Sequence, residues 1–195
     1  MAFEHEKKLL LARKDKSKKG GIDGQIKNLL GKINALPDYY TTSSCAGRVM
    51  LYGKPGERKN QTTWIFVSHE PVEFADLMKS IERIPDYPVW LKAEPMIVHV
   101  CARTIEHAKE FLEVCNNAGL KRAGIIGIGK RIIVEAAGTE VIDAIIADRG
   151  KMLVENGYME RLVAEANDKL KKNFLRIKRL ENAVMELKKL MQINM

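Results

Sequence analysis

The sequence predicts an α+β fold: a single domain spanning residues 1–195 with a mixed β-sheet flanked by helices, residues 156–195 forming a protruding C-terminal helix. Three observations predict it. The chain has 195 residues, 46% apolar and 30% charged, which is globular composition and enough for a real core without staples. Short runs of β-type residues interleave irregularly with segments of helical period, unlike the regular alternation of a doubly wound sheet. The pattern is helical from about Asn156, and from Ile177 the positions Leu180, Val184, Leu187 and Met191 step by three and four like a coiled-coil seam.

Taken in order, a helix is expected from Phe3 to about Lys14, with Leu10 and Leu11 inward. It breaks in Asp15-Lys16-Ser17-Lys18-Lys19-Gly20-Gly21. Asp23 then caps a second helix in which Ile22, Ile26, Leu29, Leu30 and Ile33 recur at helical spacing, and Pro37 stops it. β-type runs follow at Tyr39–Ser43, Arg48–Tyr52, Thr62–Ser68, Val89–Ala93 and Met96–Ala102. Gly53-Lys54-Pro55-Gly56 joins the second and third as a hairpin. A helix after Pro71 carries Phe74, Leu77, Met78 and Ile81 on one face. Another follows the cap residue Thr104 and ends before Gly119. Two further strands lie near Ala123–Ile128 and Arg131–Glu135, and Asp148-Arg149-Gly150 marks a turn.

Composition excludes several classes. The longest run without polar side chains, Ala123 to Gly129, has seven residues, far short of the roughly 20 of a membrane span. The start Met-Ala-Phe-Glu-His-Glu places acid where a secretory signal carries positive charge, so a cytoplasmic protein is expected. Three cysteines (Cys45, Cys101, Cys115) are an odd count in a chain that needs no bridges and read as reduced thiols.

Charge is unevenly placed. The net +8 concentrates at the ends: residues 1–20 carry seven basic and three acidic groups, and residues 168–195 carry eight and three. The middle sums to −1. Such ends suit a polyanion, whose counterions are released on contact. Lys16, Lys18, Lys19, Lys169, Lys171, Lys172 and Arg176 are the RNA-contact candidates, the alternative being a solvated helix face.

Among the motifs, Gly124-Ile125-Ile126-Gly127-Ile128-Gly129-Lys130 fits a phosphate loop until Arg131 takes the Ser or Thr position and a strand follows where a helix is required. The glycines therefore read as a tight turn between strands. The most distinctive stretch is Thr41-Thr42-Ser43-Ser44-Cys45-Ala46-Gly47-Arg48, where hydroxyls, a thiol, a glycine and a guanidinium form an anion cradle. Its alternative is a well-bonded turn with a buried cysteine. Two residues separate Cys45 from Arg48, where a Cys-based phosphatase needs five, which leaves other thiol chemistries open. His69 and His99 fall near strand ends in a region holding Lys92 and Glu94, as acid/base candidates. No C-x-x-C or H-x-x-x-H spacing supports a metal, and none is expected. Trp64 and Trp90 read as core, and Tyr39 and Tyr40 as the aromatics to test for base stacking.

The order Asp15-Lys16-Ser17, Asp23, Asn34, Thr42-Ser43-Ser44-Cys45-Ala46-Gly47-Arg48, Ser68-His69, Trp90-Leu91-Lys92-Ala93-Glu94-Pro95, His99-Val100, Ala118-Gly119 and Asn167 resembles the tRNA wybutosine-synthesizing protein 3 family over about residues 10 to 175. Ala46 stands where that family usually has Ser, and Leu120 and Ala123 where it has Phe and Ser. The resemblance implies an S-adenosylmethionine-dependent methyltransferase of wyosine and wybutosine biosynthesis. Its implied substrate is the 7-(3-amino-3-carboxypropyl)-4-demethylwyosine 3′ of the anticodon of tRNA-Phe, methylated at N4. It also implies a cofactor site unlike the Rossmann type, since no glycine-rich strand–turn–helix unit is present. On this reading Ser43, Ser44, Cys45, Gly47, Arg48, Lys92 and Glu94 bind cofactor, and His69 and His99 are proton acceptors with Asp15 behind them. Arg48 and Lys92 suit carboxylates, and Cys45 packs or hydrogen-bonds instead of attacking. Oligomeric state stays open. The competing readings are a basic tRNA-binding protein without chemistry and a Cys45-dependent enzyme.

Overall fold

The structure, a computed structural model, describes residues 2–12, 21–56 and 61–193. In chain order the elements are α1 (Ala2–Leu11), α2 (Gly24–Asn34), β1 (Tyr39–Cys45), β2 (Arg48–Gly53), β3 (Thr63–Ser68), α3 (Phe74–Lys79), β4 (Val89–Glu94) and β5 (Ile97–Ala102). They continue with α4 (Ile105–Asn117), β6 (Gly124–Ile128), β7 (Ile132–Ala137), β8 (Ile142–Asp148), β9 (Lys151–Met152) and α5 (Asn156–Ile193). The chain forms two compact units. One comprises Met1–Ala46, Met96–Thr139 and Phe174–Met195, the other Gly47–Pro95 and Glu140–Asn173.

The first unit holds a four-stranded sheet in the order β1-β5-β7-β6. Helix α2 forms because Ile26, Leu29, Leu30 and Ile33 make one apolar stripe, and all four are buried. Thr104 caps α4 by accepting the His107 N–H, and Gly119 closes the helix at φ 82°. Phe111, Cys115, Val98, Val100 and Val134 join α2 in one core, together with the seam residues Ile177, Leu180, Val184 and Leu187 of α5. The glycine-rich stretch becomes the β6–β7 hairpin expected from the sequence, not a phosphate loop.

Three local expectations for this unit are corrected. Asp23 sits at the N-terminus of α2 without capping it, because its carboxylate instead accepts the Ala46 N–H at 2.9 Å. Leu11 and Ile22 point outward, 43% and 51% exposed. Tyr39 and Tyr40 cannot stack on bases, since both are fully buried. Tyr39 packs 5.4 Å from Phe111, and Tyr40 lies 5.1 Å from Phe3 of α1.

The second unit holds a five-stranded sheet in the order β3-β2-β4-β8-β9. Val49, Leu51, Val89, Leu91 and Ala93 alternate along β2 and β4 to bury one face, and Met159, Val163, Ala166 and Leu170 are the buried stripe of α5 in this unit. Asn167 clamps the segment before α3, its amide donating to Val72 O at 2.9 Å and accepting from Val72 N at 2.8 Å. The sequence pattern shows neither β8 nor β9, although it marks the Asp148-Arg149-Gly150 turn between them; Arg149 and Gly150 take φ 49° and 71°.

The α+β class stands, but the mixed sheet resolves into two sheets with every described ladder antiparallel. The reason is topological. Each helix-bearing crossover skips a strand: α3 links β3 to β4 with β2 between them, and α4 links β5 to β6 with β7 between them. The connected strands run parallel, yet each pairs with the antiparallel strand in the middle.

Candidate active site

In the first unit, β1 pairs with β5 and β5 with β7, and the register brings Ser43 opposite His99 and His99 opposite Glu135. Residues opposite one another in neighbouring strands share a face, so Ser43, His99 and Glu135 lie side by side on one face of the sheet. Ser43 Oγ lies 3.0 Å from His99 Nδ1, and His99 Nε2 lies 2.8 Å from Glu135 Oε2. A carboxylate only accepts, so Nε2 carries the ring proton and the Nδ1 lone pair faces the Ser43 hydroxyl. The imidazole is oriented by an acid on one side and couples to a hydroxyl on the other, the arrangement of a proton acceptor. Ser44 and Cys45, both half-buried, end the same strand.

In the second unit, Gly47 adopts φ 98°, and a side-chain carbon there would stand 2.5 Å from Asn173 Nδ2 and 3.0 Å from Glu94 O. Only glycine fits this place. Its carbonyl accepts from His69 Nδ1 at 3.1 Å, which fixes that ring's tautomer with the lone pair on Nε2. Arg48 stands opposite Glu94 and Met50 opposite Lys92 in the β2–β4 ladder. Arg48 Nε meets Glu94 at 2.5 Å, Lys92 Nζ lies 3.4 Å from Glu94 and 4.0 Å from Asp143, and Tyr52 Oη donates to Asp143 at 3.1 Å. Burial and this bond to Asp143 push the Tyr52 phenol up to about 12. The Asn173 amide donates to Glu94 O at 3.3 Å, while its Oδ1 is buried with no hydrogen-bond partner among the described residues.

The residues singled out by sequence thus fall into two groups. Ser43 and His99 come together with Glu135, which sequence reasoning missed. Gly47, His69, Arg48, Lys92 and Glu94 gather in the second unit with Asn173, also missed. Asp15, Lys16, Lys18 and Lys19 lie outside the described residues. The basic face of α5 is partly engaged: Lys169 lies 3.9 Å from Glu140 and 3.7 Å from Glu165, and Arg176 donates to Gly119 O and Thr139 Oγ1. Lys171 and Lys172 are exposed, Lys171 within 3.8 Å of Asp168.

The sequence profile of one family, described as Methyltransferase TYW3, matches residues 5–186. The chain belongs to this family. A Pyrococcus abyssi relative is 34% identical over 189 residues, covering 95% of this chain and 97% of its own length. It is named tRNA(Phe) 7-((3-amino-3-carboxypropyl)-4-demethylwyosine(37)-N(4))-methyltransferase 1. A Thermococcus sibiricus relative with the same activity in its name is 32% identical, covering 94% of each chain. The Danio rerio protein named tRNA wybutosine-synthesizing protein 3 homolog is 31% identical over 94% of this chain and 74% of its own. A solved structure of a Pyrococcus horikoshii protein superposes with a TM-score of 0.85 at 31% identity, covering 93% of this chain and 95% of that one. An Aeropyrum pernix structure, at TM-score 0.73 and 24% identity over 85% of this chain and 98% of that one, shares the fold. Among the described residues no helix of this TYW3-family chain is long and apolar enough to cross a membrane.

Proposed function

We propose that this chain methylates N4 of 7-(3-amino-3-carboxypropyl)-4-demethylwyosine in tRNA-Phe, using S-adenosylmethionine. What carries the reading is the similarity over nearly the whole chain to relatives that bear this activity in their names. The chemistry of the second group fits such a cofactor. An aminocarboxypropyl sulfonium with an adenosyl group asks for a cation at its carboxylate and acceptors at its amino groups. Arg48 and Lys92 supply the former; Glu94 and the orphaned, buried Asn173 Oδ1 supply the latter. When bound, the cofactor supplies an electrophilic methyl group.

The residues of the chain do the rest. Gly47, lacking a side chain, lets the backbone approach closely, and Arg48 presents a planar fork whose Nε, alone of its nitrogens among the described residues, is committed to Glu94. The ring nitrogen of the substrate must give up a proton. Ser43 accepts it while passing its own hydroxyl proton to His99 Nδ1, and Glu135 stabilises the imidazolium that results. Positioning a nitrogen for in-line attack supplies much of the acceleration, up to roughly 7–11 kcal/mol in the best intramolecular cases.

Calorimetric titration with S-adenosylmethionine tests the first half, with a micromolar Kd expected, about −8 kcal/mol. Transfer of labelled methyl to tRNA-Phe carrying the demethylated base tests the second. Binding of ATP in place of S-adenosylmethionine, or no transfer to that tRNA, defeats the proposal.

A further inference from the structure

The second unit's sheet carries an aromatic row with no part in the chemistry above. Tyr52 on β2 stands opposite Trp64 on β3 on one side and opposite Trp90 on β4 on the other. Alternation along β2 puts Tyr52 on the same face as Arg48. The Tyr52 and Trp90 rings stack at 5.5 Å with 14° between their planes. Trp64, on the edge strand, is 43% exposed, so the sequence expectation that it is core is reversed.

Cations lie over these rings. The Arg48 guanidinium is 4.6 Å from the Trp64 centroid, Lys54 Nζ is 5.2 Å from Trp90 and 5.8 Å from Tyr52, and Lys92 Nζ is 5.8 Å from Tyr52. Glu94 and Asp143 balance Arg48 and Lys92; Lys54 leaves this face with a positive excess among the described residues. Tyr52 is buried and Trp90 half-buried beneath Lys54, so Trp64 on the edge strand is the ring that offers surface; an edge aromatic flanked by cations suits a single strand, because every base has a π-face and every linkage a negative charge. A duplex keeps its base faces stacked inside and has little to offer it.

We propose that this face is a nucleobase-stacking platform for single-stranded RNA, with a loop base lying on Trp64 and Lys54 taking an adjoining phosphate. The proposal rests on the tRNA reading above and adds where an unpaired stretch is held. Arg48 belongs to both groups, so the stacked base lies next to the residues assigned to cofactor.

The test is fluorescence anisotropy with an unmodified anticodon stem–loop RNA of tRNA-Phe and a blunt RNA duplex as probes. Trp64→Ala is expected to weaken stem–loop binding about 5- to 150-fold, the worth of one stacked base, with an unchanged salt slope. Trp64→Phe recovers most of the loss. Lys54→Gln lowers the slope by about one. Duplex binding and S-adenosylmethionine affinity stay at wild-type values in Trp64→Ala. Wild-type stem–loop affinity in Trp64→Ala overturns the proposal, as does an equal loss on the duplex. It is also overturned if Trp64→Ala weakens cofactor binding, which gives the face to the cofactor, or abolishes a self-association of the wild type, which makes it a protein interface. If the wild-type chain neither binds nor methylates the tRNA, the functional reading itself fails; if it methylates and Trp64→Ala is indifferent, only this platform fails.

Discussion

Replacing Gly47 by Ala separates a designed close approach from an ordinary turn. A non-glycine residue held at φ 98° costs about 1–3 kcal/mol. The new carbon would stand 2.5 Å from Asn173 Nδ2 and 3.0 Å from Glu94 O, and Asn173 is only 1% exposed and has little room to retreat. Overpacking of this kind adds about 1–3 kcal/mol, and pushing the amide away breaks its 3.3 Å bond to Glu94 O. A total of about 2–6 kcal/mol lowers Tm by roughly 5–20 °C in a chain of this size. Thermal unfolding followed by circular dichroism, with urea unfolding alongside, reads the change. In an Asn173→Ala background the amide overlap is gone, so the same substitution is expected to cost about half as much. A Gly47→Ala protein melting within about 2 °C of wild type refutes the reasoning, and an equal cost in both backgrounds removes Asn173 from it.

Other outcomes follow from the same contacts. Lys32 at 2.5 Å and Lys178 at 3.3 Å hold the Glu181 carboxyl below its ordinary value of 4.5. The pair therefore stabilises the fold above that pH and loses its effect as pH falls through the lowered value. Glu181→Gln should melt below wild type at neutral pH and converge with it in acid; a constant gap excludes the linkage. Burial pushes the Cys115 thiol up to about 12 and raises Cys101, whereas Cys45 is half-buried. Iodoacetamide should thus label Cys45 first in the native protein and all three after unfolding, and native labelling of Cys115 would contradict this. His99→Ala should lower kcat about 10²- to 10⁴-fold, and Glu135→Gln less, both with unchanged RNA affinity; full kcat in Glu135→Gln removes the relay. Lys171→Gln with Lys172→Gln should flatten the salt dependence of tRNA binding by about two units, while Arg176→Ala, which loses bonds to Gly119 and Thr139, should lower Tm. The reverse pattern would move the RNA contact onto Arg176.

The strands from β1 to β7 were legible because β-branched and aromatic runs were bounded by Gly and Pro. β8 escaped because Asp143, Ala144 and Ala147 dilute its apolar pattern. Pairing was not legible: periodicity says which face a residue takes and nothing about which strand lies beside it, and so two sheets were read as one. The same limit hid Glu135. It meets His99 through register between strands 36 positions apart, a relation no local motif carries. Tyr39 and Tyr40 misled through adjacency to the Ser/Cys stretch. Successive strand residues face opposite ways, and both are buried because α4 covers one face of β1 and α1 the other. For Trp64 the sequence gives an aromatic on a strand, and only the edge position of β3 tells that it is 43% exposed.

The interleaving of the two units along the chain sets an order of events at the ribosome. All residues of the second unit have been made once Asn173 is added, whereas the first unit still lacks Phe174–Met195 at that point. That remainder carries Ile177, Leu180, Val184 and Leu187, without which the first unit's core is open along one side. At roughly 5–20 residues per second, the interval is about one to four seconds. The first unit therefore carries an unclosed apolar surface until these turns of helix arrive.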